Sequence, residues 1–405
     1  MATAYKDNIA FTLINRFDGG IVNDPRDTTE NTCRMATNFD IFTNPHKMTP
    51  YRSSEDGHGG ASASDPRNFV VARRGTTEVH NVFAYSRATG SDVVHIQAKA
   101  LTTGAGTDLD DNGWETFGNN EGTTTTRNPN CFVFYRKTSK IYGGHGGTAI
   151  WSFDATGVAA FNNTELSVTF TNMAQGLVHS KDDRLYIPYD NKIARNENGV
   201  WTIEALVLPA HFYITSICEM GNNIAIAMAP LSGAVAGQSR VFIWDRDVTL
   251  TTLSETVPWE EGQLQILEVI DGYLVGISIS GNTATRHNVR VIFRFLDGNN
   301  IMGYRAKKFM ELVAPTGQES APPNASGTGA FALPIAKQMI DGRLHFLMQI
   351  YINGEQRDGV WSIGKVGDRF ALNHERTPNN DTALTSATLF NFFYVGDYLF
   401  ITYDD

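Results

Sequence analysis

Several things are scarce or missing in this chain, and each absence narrows the reading. There are only three cysteines, Cys33, Cys131 and Cys218, in 405 residues. Their number is odd and their spacing is not metal-like, so neither a disulfide framework nor a cysteine metal site is expected, and the thiols read as reduced and buried. No apolar run approaches the roughly 18 residues of a membrane span. The first twenty residues, MATAYKDNIAFTLINRFDGG, lack a charged segment followed by an apolar one, so no secretory signal is expected. Positive charge is in deficit: the formal net charge is -10. A duplex phosphate backbone would be repelled, which argues against sequence-specific nucleic-acid binding. No G-x-S-x-G elbow, P-loop, H-E-x-x-H pair or S-x-D-x-G-x-x-W box occurs.

What is abundant is turn and strand material. The hydrophobic fraction is 41%, the aromatic fraction 11%, and there are 37 glycines. That composition suits a folded chain rich in strands and tight turns. A hairpin recurs: apolar strand, short polar turn, apolar strand. It runs as CFVFYRKTSKIYGG from 131, GLVHSKDDRLYIPY from 176 and ITSICEMGNNIAIAM from 214. It returns as QILEVIDGYLVGIS from 265, IAKQMIDGRLHFLM from 335 and LFNFFYVGDYLFITY from 389. Ile141, Leu185, Ile224, Leu274, Leu344 and Leu399 hold equivalent places, spaced by 44, 39, 50, 70 and 55 residues.

After each of the first five hairpins comes another, turned at Gly or Asp. Two of these carry nearly the same ribbon, AIWSFDATG at 149–157 and GVWSIGKVG at 359–367. Four strands per unit at this period is the mark of an all-β propeller with six or seven four-stranded blades. In one register five full blades are joined by a composite sixth, in which the last hairpin is completed by VFAYSRATG at 82–90 and VVHIQAKAL at 93–101. In the other, FVVARR at 69–74 opens a full first blade ending at WETF, 114–117. Either way N- and C-terminal strands meet to close the ring. The propeller is expected over 69–405, with loop insertions near 102–130 and 314–332, the latter holding SAPPNASGTGA. Residues 1–68 form an extended arm or cap. Trp151, Trp244 and Trp361 are expected between neighbouring blades.

The chemistry-bearing candidates are few. In TDLDDNGWETFGNNE, Asp108, Asp110, Asn112 and Gly113 match the first, third, fifth and sixth positions of a calcium loop, but Asn119 stands where a bidentate Glu is expected. Asp108, Asp110 and Asn112 are therefore a metal candidate against an ordinary Asp-rich turn, and no other cofactor is expected. His58 and His145 sit among glycines with no further ligands at metal spacing.

The arm carries a resemblance. The order FDGG, DPR, NFDIFTNP, PYRS resembles the N-terminal signature of virion structural proteins of tailed bacteriophages, on Phe17, Asp18, Gly19, Gly20, Asp24, Pro25, Arg26, Asn38, Phe39, Asp40, Pro45 and Arg52. The resemblance implies a tail or neck component without enzymatic activity, located in the virion. It implies assembly through the arm (Phe17–Gly20, Asp24–Arg26, Asn38, Phe39) and the propeller faces, with other virion proteins and further copies of the chain as partners. Two alternatives stand beside it: a propeller that binds host-surface glycan, and a propeller glycoside hydrolase, whose carboxylates would come from several blades.

Overall fold

The computed structural model describes residues 39–40, 49–50, 64–73, 80–88, 94–101, 115–117, 131–145, 147–155, 161–231, 238–249, 256–260, 262–282, 287–297, 306–314, 336–352, 355–376, 388–395 and 398–404. Among them every regular element is a strand. No helix is long and apolar enough to cross a membrane. Two short strands come first, β1 (Phe39–Asp40) and β2 (Thr49–Pro50), paired antiparallel.

Six four-stranded antiparallel sheets follow, each a meander in chain order. Blade one is β3 (Ser64–Arg73), β4 (His80–Ala88), β5 (Val94–Leu101) and β6 (Glu115–Phe117). Blade two is β7 (Phe132–Tyr135), β8 (Lys140–His145), β9 (Ala149–Asp154) and β10 (Phe161–Ser167). Blade three is β11 (Leu177–His179), β12 (Arg184–Tyr189), β13 (Lys192–Glu197) and β14 (Val200–Val207). Blade four is β15 (Phe212–Met220), β16 (Asn223–Pro230), β17 (Gln238–Trp244) and β18 (Thr256–Glu260). Blade five is β19 (Gln263–Ile270), β20 (Tyr273–Asn282), β21 (His287–Asp297) and β22 (Lys307–Val313). Blade six is β23 (Lys337–Ile340), β24 (Arg343–Ile352), β25 (Glu355–Val366) and β26 (Arg369–Arg376). The chain ends in a hairpin, β27 (Thr388–Val395) and β28 (Tyr398–Asp404).

First strands touch first strands: β3 meets β7, β7 meets β11, β11 meets β15 and β15 meets β19. Strand β19 meets β24, β27 meets β23 and β24, and β27 meets β3. That cycle closes, so the molecule is a β-propeller with seven positions around one axis. The second of the two expected registers holds. VFAYSRATG and VVHIQAKAL belong to blade one, and among the described residues the closing hairpin β27–β28 is a two-stranded sheet of its own. The termini still meet across β27 and β3, where Phe69 and Phe393 stack at 4.1 Å.

Turn chemistry explains the hairpins. Asp271-Gly272 and Asp341-Gly342 both have positive φ at both residues, 48° and 79°, then 50° and 73°. This is the mirror-image turn whose twist matches that of the flanking strands. The cores lie between blades. Trp151 packs with Ala72 and Phe132, Trp244 with Tyr186 and Ile193, and Trp361 with Ile277 and Phe293, all buried. Each ring nitrogen is satisfied by a carbonyl: Trp151 Nε1 donates to Gly144 at 2.9 Å, Trp361 Nε1 to Met348 at 3.0 Å and Trp244 Nε1 to Asp247 at 3.1 Å. The aromatic ribbon is thus an inter-blade wedge, as its amphipathic rings suggested.

Candidate functional site around the propeller axis

The first strand of a blade is the one that approaches the axis, so polar residues there face their counterparts from other blades. Four of these strands, β3, β15, β19 and β27, shift register near their start, at Pro66/Asn68, Ile214/Ser216, Leu264/Ile266 and Leu389/Asn391. A bulge inserts one residue, frees its backbone groups and re-aims its side chain. In blade four the bulge residue Thr215 donates to Leu264 O at 2.6 Å in blade five. Ser216 Oγ accepts from Leu267 N at 3.3 Å. In blade five the bulge residue is Gln265, buried; among the described residues its Nε2 has no acceptor, and two residues earlier the buried Gln263 Oε1 has no donor.

Charge gathers further along the same strands. Lys337, at the start of β23, donates to Ile217 O at 3.0 Å, to Leu267 O at 2.6 Å and to Glu268 Oε2 at 2.9 Å. One ammonium therefore reaches the first strands of both preceding blades. Only a side chain near the common axis can do so. The Lys337 and Glu268 side chains are 13% and 17% exposed, so the pair is largely withdrawn from water and its removal on either side would leave a costly charge. Glu219, half-buried at the end of β15, accepts from the Ser180 backbone N–H at 2.9 Å and contacts the Ser180 hydroxyl. Cys218 lies among these groups. Burial pushes its thiol well above the ordinary range, the Glu268 charge adds to this, Lys337 opposes it, and Glu219 raises it again. Such a thiol is inert at neutral pH. Cys131 is likewise buried, and its thiol is pushed up to about 12 by that burial, against a hydrogen bond from the Gly176 backbone.

These carboxylates, the ammonium, the hydroxyls and the amides all lie on the first strands of blades four to six. Together they are of both donor and acceptor type, the chemistry a hydroxyl-rich ligand requires, since each of its groups both gives and takes a hydrogen bond. None of these residues stood out in the sequence. The available signal was local: polar residues interrupting otherwise apolar first strands, as in ITSICEM and QILEVI.

The candidates that did stand out fall elsewhere. Asp108, Asp110 and Asn112 lie outside the described residues, as do Cys33, His58, Phe17, Asp18, Gly19, Gly20, Asp24, Pro25, Arg26 and Asn38. Phe39 is in β1, which lies against β26, the outermost strand of blade six. His145 ends β8. Among the described residues no group of three or more His, Cys, Asp or Glu is placed to hold a metal.

No family model and no curated protein matches this sequence. Solved structures do. A gluconolactonase from Xanthomonas campestris is 10% identical with a TM-score of 0.39, covering 85% of this chain and 95% of that one. The Dos1 propeller is 13% identical with a TM-score of 0.45, covering 84% and 92%. An exo-β-1,3-galactanase from Phanerochaete chrysosporium is 12% identical with a TM-score of 0.34, covering 74% and 76%. Likenesses at this level carry no substrate or mechanism to this chain. They do correct the expectation of a chain without enzymatic activity. Besides the lactonase and the galactanase, the similar structures include a xylanase and an α-L-arabinofuranosidase, so this architecture gives no ground for excluding catalysis.

Proposed function

We propose that the protein engages carbohydrate at the propeller axis, and that hydrolysis of a glycosidic bond is the reaction its axial carboxylates would carry. The observation behind this reading is that Glu268, held beside the Lys337 ammonium, and Glu219, which accepts from Ser180, both lie near enough to Cys218 to act on its thiol. Glycoside hydrolysis asks for two carboxyl groups in unlike surroundings, one remaining a carboxylate and one handling the leaving-group proton. Glu268, paired with Lys337, takes the first role and Glu219 the second. The test uses the whole chain with xylan, β-1,3-galactan and a bacterial surface polysaccharide, reading both binding and reducing-sugar release. Glu219→Gln and Glu268→Gln should each lower release by about 10²- to 10⁴-fold. A wild-type chain that neither binds nor cleaves any of them overturns the reading.

A second reading concerns context. The segment that resembles tailed-phage virion proteins includes Phe39–Asp40, and this strand lies against the outer edge of blade six. A strand seated at that edge is where a neighbouring subunit would reach it. On this reading the propeller is carried on a phage particle and its glycan is on the host surface. Chains with Phe39→Asp should fold yet fail to join particles. Normal incorporation would remove this reading and leave the axial one untouched.

A further inference from the structure

The junction of blades three and four holds a second polar cluster, independent of the axial reading. The first hairpin of blade three turns through four residues, Ser180–Asp183, where the hairpins of blades five and six turn through two. The longer turn brings Asp182 back over its own strands. Asp182 Oδ1 accepts from Arg184 N at 3.2 Å, and Oδ2 accepts from the Tyr186 hydroxyl at 2.7 Å. Across the blade boundary Arg246 Nη1 also donates to Oδ2. Arg246 follows β17 and has φ +71°, a left-handed conformation that costs a non-glycine residue about 1 kcal/mol or more. Its neighbours hold it there: Trp244 Nε1 donates to Asp247 O, and Asp247 N to Asp245 Oδ1 at 3.0 Å.

His179, with a fully buried side chain, completes the group. Its Nδ1 accepts from Lys181 N at 3.2 Å and lies 3.4 Å from Arg246 Nη1. With Nδ1 engaged as an acceptor, the neutral ring carries its proton on Nε2. Among the described residues that buried N–H has no acceptor, and neither have Arg184 Nε and Arg246 Nε. Arg184 spends one Nη on Glu197 at 2.8 Å, but the Glu197 side chain is 42% exposed. The Asp182 carboxylate already accepts three hydrogen bonds, yet among the described residues three N–H groups on its neighbours remain unspent. Buried donors without acceptors are rare in native proteins, and a strained arginine beside them marks a place whose conformation is imposed rather than relaxed.

We propose that this junction receives a small oxyanion, a carboxylate or phosphate group, whose oxygens take the unspent N–H groups of His179, Arg184 and Arg246. Two guanidiniums match the planar edge of either group. The surplus of donors over acceptors excludes a cation.

The test titrates the full chain with inorganic phosphate and, separately, with acetate, at ionic strength held constant with chloride. One of the two anions should bind saturably at one equivalent by calorimetry, with a Kd at or below about 1 mM, and should raise the unfolding temperature. Arg246→Gly removes the guanidinium at a backbone position glycine adopts freely, so the chain should fold while affinity falls at least about tenfold. Identical responses to phosphate, acetate and chloride, or an Arg246→Gly chain that binds as wild type does, overturns the proposal. Should that variant not fold, the calorimetric titration of the wild type decides: one saturating equivalent supports the site, and no saturating heat removes it.

Discussion

Blades two and six contain nearly the same ribbon and put it to nearly the same use. In both, the tryptophan of strand three wedges toward the preceding blade, and the serine beside it faces a glutamate on strand four. In both, a cation from strand two joins that glutamate. Blade two has Ser152 Oγ on Glu165 Oε2 at 2.8 Å, with Lys140 Nζ at 3.1 Å. Blade six has Ser362 Oγ on Glu375 Oε1, with Arg343 Nη1 at 3.6 Å and His345 Nε2 at 3.8 Å. Burial separates them. Glu165 and Lys140 are 11% and 34% exposed, while Glu375 and Arg343 are 2% and 12%. The difference lies in the neighbour. Glu165 sits beside the outward amide of Asn162, whereas His345 of the Glu375 group is pressed against Tyr394 of the closing hairpin, ring to ring at 5.0 Å. The same local sequence is thus a surface ion pair in one blade and a sealed polar seam in the other. The seam lies where the ring closes.

The largest effects should be the ones the two blades share. Trp151→Ala and Trp361→Ala each empty a fully packed inter-blade site and should each cost about 3–5 kcal/mol, read from denaturant midpoints. A gap between them much wider than about 1 kcal/mol would mean that the wedges are not equivalent after all. The glutamates should behave in the opposite way. Glu375→Ala removes the carboxylate that Ser362, Arg343 and His345 share inside the seam and should cost about 3 kcal/mol. Glu165→Ala, at a half-open site, should cost about 1 kcal/mol. Equal losses would abolish the contrast between seam and surface.

A mid-sized effect isolates the blade-two wedge. A Cβ on Gly143 would lie 2.2 Å from Trp151 Cζ2 and 2.9 Å from Cys131 O, so Gly143→Ala displaces the ring and should cost about 1–3 kcal/mol. Pairing it with Trp151→Phe should restore part of that loss. No rescue would mean that the clash is with the Cys131 carbonyl.

This glycine also marks what the sequence could and could not convey. The repeat of hairpins, the Asp-Gly turns and the Trp-Ser ribbons made the propeller legible, because each depends on residues close together in the chain. The blade count was harder to read. The closing hairpin contacts β3, more than three hundred residues away, and no local pattern reports that pairing. The axial groups were hidden for the same reason. Ile217, Glu268 and Lys337 come from three blades, and their meeting follows from the ring and not from any spacing. Gly143 lies within a legible strand, yet the need for glycine there comes from a tryptophan on the next strand.

The smallest effect concerns acid. Burial alone would raise the Glu165 carboxyl. The Ser152 hydroxyl, the Lys140 ammonium and the Asn162 amide outweigh it and hold the group below the ordinary carboxylate range. A folded-state value below the unfolded one means that the ionised form supports the fold. That support is complete above the unfolded value of about 4.3 and is lost as pH falls through the lower folded value. Glu165→Gln cannot titrate there. The stability gap between wild type and this variant should therefore stay constant from pH 7 to about 5 and narrow below about 4. Because the site is partly open to water, the whole gap should be on the order of 1 kcal/mol, and high salt should shrink it further. A gap that widened on acidification would require Glu165 to favour its protonated form in the fold. The Ser152, Lys140 and Asn162 contacts would then not be what governs this carboxyl, and the blade-two ion pair would lose its part in the comparison.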